Sequence, residues 1–263
     1  MRSVIFQKTL FERRTSIIVW FVAVTVSTFL VMLLFPALRD SLGEALNDVP
    51  DSMKDLVGSA EDYQTVTGFV DLQVIAQMIF LTIIMGVIVG TSLLAGEESN
   101  GTLQTLLAQP VRRTRLYIEK FLAMGVMTLT TCGGLFFGTI IGLVALGESM
   151  NVWRLCLAIG MTWLLTLFFA TMAYGIGAAT GKRGLAGILT GFYAFTSYML
   201  TALAGAAPAL EKLNYGSPFY YFNTPSVLKN GLDFGNIAVL AAGILIFFAI
   251  GFIWFRKRDI FQR

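Results

Sequence analysis

The sequence predicts an all-α integral membrane protein of six transmembrane helices, with an amphipathic amino-terminal interfacial helix and a short cytoplasmic helix between spans two and three. Three observations carry that expectation. Six apolar stretches are long enough to cross a bilayer, and none has Asp, Glu, Lys, Arg or His in its central part. Hydrophobic residues make up 56% of the chain and charged residues 13%, against roughly 25% charge in soluble domains. With the amino terminus inside, the inner segments hold 14 of the 19 Lys and Arg residues, as the positive-inside rule requires. Both termini are therefore expected in the cytoplasm, and the whole chain, residues 1–263, reads as one transmembrane domain.

The first sixteen residues set Val4, Ile5, Phe6, Leu10 and Phe11 against Lys8, Glu12, Arg13 and Arg14. Two readings fit: a helix lying in the inner interface against anionic headgroups, and a basic flank that only sets topology. Span one, Ile17 to Phe35, makes a helix of roughly 28 Å, close to the ~30 Å hydrocarbon thickness. It is longer than a secretory signal core, and Phe35-Pro36 offers no small-residue cleavage site, so it reads as an uncleaved anchor. Residues 36–71 are polar and carry eight carboxylates, yet keep Leu38, Leu42, Leu46, Met53, Leu56 and Val57 at spacings that suit short helices. They are expected to form a small external segment with a solvated acidic surface. Spans two to six follow at about Leu72–Ala95, Phe121–Leu146, Leu155–Ala179, Leu185–Ala207 and Ile237–Phe255. A second external segment, 208–236, gathers Tyr215, Phe219, Tyr220, Tyr221 and Phe222 with Pro218 and Pro225, which suits the outer interface.

The loop 96–120 has the most specific pattern. Ser99 or Asn100 can cap a helix whose positive end lies near Glu97 and Glu98. Leu103, Leu106 and Leu107 share a face at i, i+3 and i+4. Pro110 disfavours helical geometry at Gln109, so the helix should stop after about two turns. Two readings of the leucines stay open: an apolar face offered to a protein partner, and packing back onto the spans or lipid.

The run Gly96-Glu97-Glu98 through Gly101-Thr102-Leu103 and Leu106-Leu107 to Pro110, Arg113 and Lys120 resembles the second-to-third span loop of type II ATP-binding-cassette exporter permeases. The six-span order, Gly68-Phe69 before span two and the closing Phe255-Arg256-Lys257-Arg258-Asp259 extend the resemblance over essentially the whole length. It implies a bacterial cell-membrane protein whose loop is a coupling helix seated in a groove of a cytoplasmic ATPase. The coupling set it carries over is Glu97, Glu98, Gly101, Thr102, Leu103, Leu106, Leu107, Pro110 and Arg113, with Arg112, Arg113 and Arg115 at the rim or on lipid phosphates. It also implies two ATPase copies, a second permease chain as homodimer or heterodimer, and short helices in 208–236 that cap an exit path.

Residue types narrow the energy source independently. Ion-driven transporters commonly carry Asp, Glu or His inside the membrane, or Gly- and Pro-broken spans; no such ionisable group and no Pro lies in the expected spans. Gly181-Lys182 superficially suggests a phosphate loop, but Ile176 stands where the first glycine is needed and Arg183 where Ser or Thr would hold magnesium. A transporter without a coupling group or a nucleotide site must draw energy from another subunit. The chain is thus expected to be no enzyme. No cofactor is expected, since it has no His, and Cys132 and Cys156 both sit in spans without ligand spacing. The net charge of +3 implies no nucleic acid partner.

Uncharged polar residues mark where a path for an amphipathic or hydrophobic substrate could run: Thr25 and Thr28 in span one, Gln77 in span two, and Tyr193, Ser197 and Thr201 four apart on one face of span five. Interhelical hydrogen bonding is the competing reading for each. Ala170, Ala173, Gly175, Gly177 and Ala178 in span four suit close helix packing. Two rival functions remain at this point: a non-transporting membrane component that recruits or senses a cytoplasmic partner through the same loop, and a lipid-acting membrane enzyme, which would need clustered carboxylates or metal ligands at the interface.

Overall fold

The computed structural model describes residues 4–39, 64–107, 112–204, 208–222, 227–228 and 231–258. Most of the first external segment, Pro110 and Asp259 lie outside the described residues. Within them the chain is helical, and six helices are long and apolar enough to cross a membrane.

Helix α1 (Val4–Glu12) is separated from span one, α2 (Arg14–Leu33), by the single residue Arg13. Span two, α3, runs from Val66 to Ser99, six residues earlier and four residues later than the apolar run alone suggests. Two π-helical turns interrupt it, Val70–Ile75 near one end and Ser92–Gly96 near the other. A short helix α4 (Thr102–Leu107) follows, then span three, α5 (Arg113–Leu146), and span four, α6 (Val152–Thr180). Span five, α7 (Arg183–Ala204), leads into the short helices α8 (Pro208–Asn214) and α9 (Pro218–Tyr221), and span six is α10 (Phe234–Lys257).

Spans two and four form the centre, with 72% and 67% of their apolar windows buried, against 17% for spans one, five and six. Small residues permit this, because without water between them membrane helices gain mainly from close van der Waals approach. A Cβ added to Gly86 would lie 3.1–3.3 Å from Thr166 and Ala170 of α6, and Gly90 meets Ala170 and Ala173 more closely still. Further along α6, Gly175 abuts the backbone of Phe247 and Gly251 of α10. The small residues expected to pack span four therefore do so.

Span one is held by a second stripe. Gly134, Gly138 and Gly142 of α5 recur every four residues, and a Cβ on them would lie 2.7, 2.6 and 2.5 Å from Phe21 O, Thr25 O and Met32 Cβ of α2. Phe21 and Phe137 add an edge contact at 5.9 Å.

Candidate functional site

Among the described residues, the α4 end of the bundle concentrates the charges. Glu97–Ser99 continue the helix of span two rather than preceding a new one. Ser99 Oγ donates back to Gly96 O at 2.8 Å, so it does not cap α4. The break falls at Gly101, whose φ of +74° lies in the left-handed region that glycine adopts without strain. Gly101 N–H donates to Glu98 O at 3.1 Å, and Thr102 Oγ1 to Glu97 O at 3.1 Å, tying the start of α4 to the last turn of α3.

Both carboxylates before this turn face into the chain. Glu97 pairs with Lys120 of α5, which is only 1% exposed and also donates its Nζ proton to Leu93 O at 2.7 Å. Glu98 pairs with Arg258 beyond the end of α10, and Arg113 donates to Arg258 O at 2.7 Å. The turn at Gly181 presses on this pair: a Cβ there would lie 2.6 Å from Glu98 Oε1. A buried cation is tolerated only when paired and hydrogen-bonded, and both conditions are met here.

The first two turns of α5 reach α1, α3, α6 and α10. Tyr117 OH donates to Phe248 O of α10 at 3.0 Å, and Tyr174 OH of α6 donates to Tyr117 O at 2.8 Å. Glu119 is held by Arg115 Nε at 2.6 Å and accepts Phe6 N–H at 2.9 Å in the first turn of α1, where an acceptor satisfies an open helix donor. Phe121, Phe248, Phe252 and Phe255 close an aromatic cluster with Tyr117 and Tyr174.

The expected coupling residues are thus brought together, but not all facing outward. Leu103 is fully buried and Leu106 is partly buried against the core, so this face of α4 is turned onto the bundle. Thr102 is exposed, as are Gly101 and Arg112. Arg113 is engaged with the end of span six. Pro110 lies outside the described residues, and so does the side chain of Leu107.

The six path candidates separate. Thr25 and Thr28 lie on the side of α2 that meets the glycine stripe of α5, and Thr28 is fully buried there. Gln77 is exposed on α3. Tyr193, Ser197 and Thr201 fasten the α8–α9 segment: Tyr193 OH donates to Gly216 O at 2.9 Å, Thr201 Oγ1 lies 2.8 Å from Asn214 Oδ1 and 2.7 Å from Ser217 Oγ, and Ser217 Oγ donates to Ser197 O at 2.9 Å. The span-five face is here a hydrogen-bonding strip.

Sequence reasoning named Lys120 and Arg258 only as part of the family resemblance, gave neither of them a pairing, and passed over Glu119 and the α5 glycines altogether. Arg113, Tyr117 and Lys120 stand at i, i+4 and i+7, one helix face, and that spacing was the available signal.

In comparison with known proteins, the family model for ABC-2 family transporter protein matches residues 3–260. No curated protein matches the sequence. Nearly the full length is covered by a family of membrane permease components that work with ABC ATPase subunits, and the described residues include six helices long and apolar enough to cross a membrane; the chain belongs to the ABC-2 transporter family.

Proposed function

We propose that the chain is the membrane-spanning permease subunit of an ATP-driven exporter in the cell membrane, with both termini cytoplasmic. It pairs with a second permease chain and with two ATPase subunits, and moves a hydrophobic or amphipathic substrate. The observation that carries this reading is α4, a short helix set off from span two by a left-handed glycine and braced through Glu97 and Glu98 to spans three and six. A helix so braced passes force to the spans instead of bending away. ATP binding would draw the ATPases together, move both copies of α4 and tilt the spans between inward-open and outward-open states. The 14 basic residues on the α4 side under this orientation support it.

The test is purification of the chain from its native membrane in mild detergent, with mass spectrometry of what stays bound and an assay of ATP hydrolysis. A stoichiometric ATPase that is lost with Thr102→Arg, at an exposed residue of α4, while helicity and monodispersity persist, is the expected result. A monodisperse chain that binds no ATPase in several detergents would favour a recruiting or sensing component instead.

A further inference from the structure

Lys120 has a geometry that burial alone does not require. Its ammonium grips α3 at two points one turn apart, Leu93 O and the Glu97 carboxylate. The two points lie at the start and just past the end of the π-helical turn Ser92–Gly96. A π turn is a local loosening of the helix ladder, a place where a helix can bend or shift register. Beyond it come Glu97–Ser99, then Gly101 and α4. Without a strap across the π turn, displacement of α4 would be absorbed there. The strap is a cation on α5, so it also ties the same turn to span three.

We propose that Lys120 is the positioning residue that makes α4 and the adjoining ends of spans two and three move as one piece. This rests on the reading of α4 as the ATPase contact, and it adds the residue through which the push is transmitted. Lysine suits the position because one compact ammonium offers three donors on a flexible stem, enough to serve a carbonyl and a carboxylate at once. Its charge is held by Glu97 in turn, so neither group serves the strap alone.

The experiment uses the permease with its co-purified ATPase in nanodiscs. Spin labels replace Asn100 at the turn into α4 and Leu122 on α5, both exposed, with Cys132 and Cys156 changed to Ala. Distances are recorded without nucleotide and after trapping with ATP and vanadate. In the wild-type background one narrow distribution is expected, the same in both states. In Lys120→Met it broadens and shifts on trapping, the ATPase stays bound, and stimulation of hydrolysis by the permease falls about tenfold, within the usual span of allosteric coupling. Lys120→Arg, which keeps a multidentate cation, restores the narrow distribution. A Lys120→Met variant that is narrow and unchanged in both states overturns the proposal. If Lys120→Met does not yield monodisperse protein, Glu97→Gln removes one of the two grips, and an unchanged distribution there overturns it equally. Should the wild-type chain retain no ATPase, the exporter reading fails, while the nucleotide-free distributions of wild type and variants still decide whether Lys120 straps α3 to α5.

Discussion

Gly138→Ala is the substitution whose cost the structure sets most narrowly. A Cβ at this position lies 2.6 Å from both Thr25 O and Thr28 Cβ, and the first of these is backbone that cannot rotate away. To restore an ordinary contact of 3.4 Å, α2 and α5 must part locally by about 0.8 Å. A gap of that order forfeits about a quarter to a half of the dispersion energy of the atoms facing it. Overpacking of this kind costs about 1–3 kcal/mol, and alanine's better helix propensity returns up to about 1 kcal/mol. The net is a destabilisation of about 0–2 kcal/mol, or up to roughly thirtyfold in the unfolding equilibrium. Gly125→Ala is the internal reference, because nothing lies within 4 Å of a Cβ there. Unfolding of both variants in one detergent, followed by tryptophan fluorescence, should separate them by about 2 kcal/mol once the propensity gain at Gly125 is included. Equal stability of the two would refute the close approach of span one to the glycine stripe.

Three further outcomes are expected. Arg258→Met leaves Glu98 partly buried without its cation and should cost about 2–3 kcal/mol, whereas adding Glu98→Gln returns most of that; a double-mutant cycle in the same unfolding assay reads the difference. Gly101→Ala forces a side chain to φ +74° and should cost about 1 kcal/mol while loosening the junction of α3 and α4, seen as faster proteolysis within 100–107. Ser217→Ala removes the hydroxyl that accepts Phe219 N–H and donates to Ser197 O, and should lower stability by about 1–2 kcal/mol with earlier hydrogen exchange in 214–221.

The six spans were legible because apolar length is a local property that needs no knowledge of neighbours. Their ends were less so: α3 continues through Glu97 and Glu98 because Lys120 and Arg258, 23 and 160 residues further along, neutralise those charges, and hydropathy counts them as a boundary. The same long-range pairing explains why Ser99 was expected as a cap and instead ends the preceding helix. Leu103 and Leu106 of α4 do share a face, but periodicity cannot say whether a face turns outward or back onto the bundle, and the packing of Leu103 decides it. Thr25, Thr28, Tyr193, Ser197 and Thr201 carried polarity, which in a membrane serves helix contacts as readily as a path. Span four was readable from its small residues. The equally regular Gly134, Gly138 and Gly142 were not singled out, although their spacing of four was present in the chain.

The most direct measurement of coupling through α4 is photocrosslinking in native membranes from a benzoylphenylalanine at Thr102, the exposed residue at the start of that helix. The expected result is a single major adduct with a polypeptide that carries a phosphate loop, its yield changing on addition of ATP. Adducts confined to lipid, with that polypeptide absent in every nucleotide state, would contradict the assignment of α4 as the ATPase contact.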